Sequence, residues 1–544
     1  MIAEVTTRAA IHQVAIKPAT REPSPSTQFR KVFGGSLMLR TALLLAPLAA
    51  YSADHTQALD RQWVAISPSG KLEYKTTARG DRIMDFSHAG YMGGGVAFPK
   101  FPVKKEVAPS GGDDTAAIQT AIGEVSAMPL VNRFRGAVLL KQGIFHCSKP
   151  VTIAQDGVVL RGSGSGTGGT LIELTGSPQG SVFIIEGPKL SFPKATPADT
   201  YPITDAYVAA GTLSVSVKDT KGLTVGDNLS IRWARTAKWI QFMGMDKLVR
   251  NGKPQTWIKK DSQTTVDRLI RAIDGNRITL DVPLTEAIDA QFLDEPAVVV
   301  KTPSVKRLSQ CGIESLQIIS PPHKGTLTSG KYGGIRLSQA EDCWVRDIVM
   351  RETLTNVSVM EGTRRITISE SNAYHSSTVE KGAGYSSDFS ILGSQVLVDR
   401  CTSTGSGSFF VATFGGGARL NVALNCKFVG KGSIQPHMRW STGLLIDSCN
   451  IPDGEIDFAN RLTFGSGHGW SIGWGIAWNC NAKSLLLEMP PGALNLAIGC
   501  KGEPHQKSSK EAFFSANQPV TPASLYLSQL RERLGETAMR NIGY

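Results

Sequence analysis

No stretch of the 544 residues is long and apolar enough to span a bilayer. The one apolar run, between residues 37 and 50, is too short and too interrupted, so the mature chain is expected to be soluble. No CxxC pair occurs, and zinc is therefore not expected at any of the eight cysteines. Charged residues are scarce, at 19%, and do not gather into runs. With 56 glycines, that balance argues against global disorder and for an ordered, turn-rich protein. No helical period alternates with the strand pattern of the middle of the chain, which argues against βαβ units. Nor is any nucleic-acid-binding motif present, so nucleic acid is not the expected partner. The formal charge is +12, and +8 beyond residue 53. A basic protein attracts anionic polymers or surfaces, but charge alone does not choose among them.

What is present is a repeat. Val396-Leu-Val-Asp-Arg-Cys401 is followed by Asn421-Val-Ala-Leu-Asn-Cys426, Leu444-Leu-Ile-Asp-Ser-Cys449 and Ile476-Ala-Trp-Asn-Cys480. The cysteines lie 25, 23 and 31 residues apart. Asp342-Cys343-Trp-Val-Arg-Asp-Ile-Val-Met350 and Arg365-Ile-Thr-Ile-Ser369 are weaker echoes upstream. One short strand per period of this length is the mark of a solenoid, because one repeat cannot bury its apolar face alone. The pattern predicts a parallel β-helix in which Cys401, Cys426, Cys449 and Cys480 form a ladder of buried free thiols.

In chain order, residues 1–28 are polar. Arg30 and Lys31 precede the apolar run and a small-residue exit at Ala50-Tyr-Ser-Ala53. That order predicts a disordered lead and a signal peptide over 1–53, and secretion or periplasmic export. Asp85-Phe-Ser-His-Ala-Gly-Tyr91, Gly111-Gly-Asp-Asp-Thr-Ala-Ala-Ile-Gln-Thr-Ala-Ile122 and Gly136-Ala-Val-Leu-Leu-Lys-Gln-Gly-Ile-Phe145 follow. This order resembles the opening of the pectate-lyase-like superfamily of β-helix carbohydrate-active enzymes, which includes polysaccharide lyases and polygalacturonases. The resemblance implies an all-β, single-stranded right-handed parallel β-helix. Physically, Asp114 is placed to N-cap a helix from Thr115 whose Ala117, Ile118, Ala121, Ile122 and Val125 plug the end of the solenoid. Asp113 and Asp114 are accordingly read as capping residues and not as a catalytic pair.

The expected organisation is an N-terminal cap with the first coils over 54–188, an inserted β-rich subdomain over 189–300, the main β-helix over 301–503, and a linker and C-terminal helix over 504–544. The insert carries Trp239, Trp257, Lys247, Arg250, Lys253, Lys259 and Lys260, which either line a sugar cleft or split between a small core and solvent. Leu527, Leu530, Leu534, Ala538 and Ile542 stripe the final helix, which is expected on the flank of the solenoid or across its far end.

Candidate chemistry lies in the last coils. His437 and His468 are 31 residues apart, and Arg439 and Arg461 are 22 apart, each about one coil, so stacking at roughly 4.8 Å brings all four to one face. Trp440, Trp470, Trp474, Trp478 and Asn479 are expected to line the groove and bind substrate. Arginine forks a carboxylate or sulfate, and tryptophan stacks on pyranose rings, so an anionic polysaccharide is the expected partner. For a uronate lyase, Arg439 or Arg461 neutralises the carboxylate, and His437 or His468 supplies base and acid. Gly467-His468-Gly469-Trp-Ser-Ile472 also resembles a segment of the polygalacturonase-type hydrolases. That family's partner aspartates are not in matching places here: Asp447, Asp453, Glu455 and Asp457 are the nearby carboxylates. Calcium assistance would need clustered acids, but Glu361, Glu370, Glu380, Asp388 and Asp399 are scattered, so no cofactor or metal is expected. Glu380 and Lys381 stay as outlying candidates.

The sequence therefore predicts an exported polysaccharide lyase acting by β-elimination. A hydrolase on the same fold and a non-catalytic carbohydrate-binding or adhesion solenoid are the alternatives. Monomer and homotrimer both remain open.

Overall fold

The computed structural model describes residues 58–176, 179–191, 196–321, 331–376, 386–405 and 408–544. The expected lead and signal peptide, and Glu380 with Lys381, lie outside these residues. The chain is the right-handed parallel β-helix that the repeat predicts, with 28 strands among the described residues joined in one parallel system.

Three ladders run its length. Ladder A passes from Val103–Val107 through Ser394–Asp399, Arg419–Leu424, Ser441–Asp447 and Ile472–Trp478 to Phe513–Phe514. Ladder B holds the strands just after the cysteines, such as Thr402–Thr404 and Lys427–Val429. Ladder C holds the strands that precede each return to ladder A, such as Thr355–Val359, Ser386–Ile391, Ser408–Thr413 and Ser433–Ile434.

The structure explains the repeated motif. The residue before each cysteine has a left-handed backbone: φ is 49° at Arg400, 49° at Asn425, 55° at Ser448 and 48° at Asn479. That single conformation turns ladder A sharply into ladder B, and short polar side chains such as Asn tolerate it better than apolar ones. Each cysteine then points into the coil. All eight cysteines are buried free thiols, and Cys500 extends the expected ladder by one rung.

Helix α1 (Thr115–Ser126) closes the first coil, with Ile118, Ala121, Ile122 and Val125 in the continuous interior core. Two details differ from expectation. Ala117 is exposed. The capping acceptor is Asp113, whose Oδ1 takes the Thr115 N–H at 3.0 Å, while Asp114 accepts from Ser110 N and His146 N and stitches the helix to the coil.

The insert leaves ladder C after Glu186 and returns at Leu308. It forms a six-stranded antiparallel sheet, ordered Thr200–Pro202, Val298–Lys301, Asn228–Arg235, Ser262–Asp274, Arg277–Leu280 and Ser214–Ser216. Helix α2 (Ala237–Phe242) and the excursion after it pack Ile240, Met243, Met245 and Trp257 on the outside of ladder A. Residues 83–89 and helix α3 (Leu525–Asn541) cover more of that face, so α3 lies on the flank. Gly535 at φ 76° bends α3, which leaves Leu534 45% exposed while Leu530 and Ala538 are buried.

Covering both faces of ladder A has a consequence. Every residue of Ser441–Asp447 and Ile472–Trp478 is buried. A parallel sheet buried on both sides reads as a continuous apolar run, without an outward polar face.

Candidate active site

The predicted binding aromatics are mostly core. Trp474 is 1% exposed and Trp478 0%. The Trp478 Nε1–H donates to Pro522 O at 2.8 Å. Asn479 spends its amide on Val520 O and Ala523 O, at 2.9 and 3.0 Å, tying down the segment before α3. Trp440 is buried and donates to Glu286 Oε2 at 2.9 Å. Trp470 is half-buried, donating to Met243 O and accepting at its carbonyl from Trp257 Nε1. Trp474, Trp478 and Asn479 are corrected from sugar platform to packing residues, because the insert and the C-terminal segment cover the face they point from, whereas Trp440 borders the cleft between insert and solenoid and Trp470 stays half-buried. Trp257 is likewise core, stacked on Trp239 at 5.2 Å.

The charged quartet does converge. His437 lies in the corner between Ser433–Ile434 and Ser441–Asp447, and His468 in the next corner, 459–471. Their ring centroids are 4.7 Å apart. Arg461 Nη1 lies 3.0 Å from His437 Nδ1 and 2.8 Å from His437 O. The Arg439 amide donates to His468 O, and its Nη2 to Ser466 Oγ at 2.7 Å. The long corner is held from outside by the insert: Arg250 Nη1 donates to Gly465 O. The Gly-His-Gly sequence serves this docking. Gly469 has φ 56°, and a Cβ there would come within 2.3 Å of the Trp257 ring.

A guanidinium has only donors, so His437 Nδ1 accepts and a neutral imidazole carries its proton on Nε2. Burial, Arg461 and His468 push His437 down to about 3, and burial with Arg461, Arg439 and Arg250 pushes His468 down to about 4. Both rings are neutral near pH 7, and His437 presents an N–H to the surface rather than a lone pair.

A carboxylate joins them that has no counterpart in the polygalacturonase-type motif. Asp457 faces outward from the ladder C portion of Asn450–Phe458, beside Gln435, whose Nε2 donates to Asp457 Oδ2. Burial pushes its carboxyl up to about 6, against the Gln435 bond and Arg461, with Glu455 and Glu488 adding to the rise. Asp457 Oδ1 has no partner among the described residues. Glu455 is two residues earlier on the same face of the strand and exposed. Phe464, 66% exposed, stands beside Arg461 at 5.7 Å. The period-two alternation of 455 and 457 is the signal in the sequence that points to this pair. Among the described residues, no group of three or more His, Cys, Asp or Glu side chains is arranged to hold a metal ion.

No protein-family model and no curated protein sequence matches the chain. Among solved structures, it is similar to the tailspike protein gp49 of Pseudomonas phage LKA1, at 15% identity over 72% of this chain and 69% of that one, with a TM-score of 0.37. It is also similar to a Geobacillus virus E2 protein, at 13% identity over 76% of this chain and 60% of that one, TM-score 0.35. The polygalacturonase of Erwinia carotovora ssp. carotovora is 10% identical over 76% of this chain and 96% of that one, TM-score 0.30. At these scores the likenesses carry no argument about activity.

Proposed function

We propose that the cluster is the active site of an exported polysaccharide lyase that cleaves a uronate-containing chain by β-elimination. One observation carries the reading: a largely buried carboxyl poised near 6, Asp457, lies within the field of Arg461, whose guanidinium is hydrogen-bonded to the neutral His437. In this scheme Arg461 and Arg439 neutralise the substrate carboxylate and so acidify the α-proton. Asp457, ionised at neutral pH, takes that proton, since a base titrating near the working pH is the efficient one. The neutral His437 Nε2–H donates a hydrogen bond to the departing glycosidic oxygen, and solvent water supplies the proton that completes the new hydroxyl. This reassigns the base from histidine to aspartate. The basic lead and apolar run supply the case for export.

Incubating the protein with acidic polysaccharides and following ultraviolet absorbance of the new unsaturated uronate tests the reading. A rise that disappears in Asp457→Asn supports it. New reducing ends without absorbance would sink it.

A second reading has its own observation. Glu455 and Asp457, at i and i+2 of one strand, have Cα atoms roughly 6.5–7 Å apart. That is compatible with the carboxyl separations of inverting hydrolases. Asp457 would then be the acid and Glu455 the base.

A further inference from the structure

Beside the cluster lies a cleft of about 580 Å³ between the insert and the solenoid. Its floor is a row of corners from ladder C to ladder A, at Thr363, Ser394, Gly416 and Arg439, and its far wall is the strand Ser262–Asp274. Four stacked corners span roughly 14 Å. The next corner in the same row carries His468, and Arg439 belongs to both the cleft lining and the proposed active site, so the two adjoin at Arg439.

Its charge is unbalanced at the back. Glu286 is the one carboxylate, among the described residues, between two buried guanidinium groups, accepting from Arg235 at 2.7 and 2.9 Å and from Arg419 at 2.6 Å. Although burial works against the Glu286 charge, Arg235 and Arg419 outweigh it and hold the carboxyl down to about 2. Arg235 and Arg419 thus share one buried carboxylate, Glu361 is the next acid to act on Arg419, and Arg419 Nε and Nη2 have no hydrogen-bond partner among the described residues. Two buried guanidinium groups on one carboxylate leave an excess of positive charge, which is unfavourable unless a further anion reaches it. Lys259 and Arg439 extend the positive lining, and neither forms an ion pair among the described residues. Arg307 and Arg364 are already matched by Asp267 and Glu341. Glu361 is the remaining acid of the cleft, and it is exposed. Opposite, Gln263, Thr264 and Thr265 offer amide and hydroxyl groups of the kind that bind sugar hydroxyls.

We propose that this cleft holds the acidic oligosaccharide leading into the active site, with its carboxylates or sulfates on Arg419, Arg439 and Lys259, and that the inserted subdomain is the specificity wall. The proposal rests on the acidic-polysaccharide reading above, but not on the bond-cleaving step. An open interdomain gap filled by water is the competing description.

Gly416 permits a direct test. A Cβ there would meet nothing nearer than Arg419 Nη2 at 3.8 Å and the Trp440 carbonyl at 4.0 Å, so a side chain at Gly416 starts in open space, and Gly416→Phe is chosen to obstruct the cleft. Lys259→Glu reverses an exposed charge and leaves folding untouched. Both changes are made in full-length Asp457→Asn protein, in which turnover is expected to be slow enough for binding to be measured. Binding of oligogalacturonate, oligomannuronate and hyaluronan hexasaccharides is measured by titration calorimetry at low and high salt. At least one hexasaccharide is expected to bind, more weakly at high salt, with a tenfold or greater loss of affinity in each variant. Hexasaccharide binding unchanged in both variants, no binding to the parent, or binding of an oligothymidylate but no saccharide would overturn the proposal. Turnover of a polymer by the wild type with cleft variants that bind normally sinks the cleft and spares the lyase. Cleft-dependent binding without turnover does the reverse.

Discussion

At the scale of single residues, the most informative group is Asp457, because its titration reports its role. A carboxyl that titrates near 6 is mostly ionised at pH 7 and mostly protonated at pH 5. As the base of an elimination it must be ionised, so kcat/KM is expected to rise with pH through about 6. As the acid of a hydrolase it must be protonated, and the same limb would fall. A pH–rate profile separates the two readings, and Asp457→Asn is expected to lower kcat by about 10²–10⁴-fold. His437 supplies a second test. After burial, the Arg461 guanidinium is the largest influence holding its imidazole down to about 3. Arg461→Met removes a neighbouring cation and frees Nδ1, so the His437 pKa should move up toward its ordinary value in an NMR titration. No movement would mean that burial alone sets it.

At the scale of elements, the insert is tied to the solenoid by a buried charged knot, beside the Thr285–Thr442 hydroxyl pair and the Trp257–Trp470 contact. Glu286 in the insert accepts from Arg419 on ladder A and from Trp440 in the corner, besides Arg235 on its own sheet. Glu286→Ala leaves two buried guanidinium groups without a carboxylate and is expected to cost about 3–5 kcal/mol in denaturant unfolding. A loss below about 1 kcal/mol would show that the Glu286 knot does not hold the insert in place. The insert also shows where sequence reasoning reaches and where it stops. The cysteine period, the capping helix and the antiparallel alternation of 216–283 follow local rules and can be read directly. So can the convergence of His437, His468, Arg439 and Arg461, which coil spacing alone brings together. What covers the outside of ladder A depends on contacts far apart in the chain, such as Trp257 with Trp470 and Trp478 with Pro522. No period in the sequence carries that information. Trp474 and Trp478 therefore read as a sugar platform in the sequence and are core in the structure, and Asp457 is hidden because a borrowed motif lacks it.

At the scale of the whole molecule, one interior core runs unbroken from Val107 to Ala512, and its thiols report on how it opens. A solenoid gains stability from each coil and from each neighbour, so its weakest units are the ends. The first coil is plugged by α1, and the middle coils are clamped from outside by the insert and α3. Beyond the last coil lie the short pairing of Phe513–Phe514 with Asn495–Ile498, the Asn517 N–H donated to Cys500 O, and Trp63 edge-on to Phe514, a thinner cover than the insert and α3 give the middle coils. Cys500 sits in that coil, whereas Cys426 and Cys449 sit under the clamp. In native buffer all eight thiols should resist a small disulfide reagent. In rising denaturant, pulse labelling read by mass spectrometry should tag Cys500 first, with Cys401, Cys426, Cys449 and Cys480 following together. Labelling of Cys426 or Cys449 ahead of Cys500 would show that the clamp, and not the open end, is the weak place.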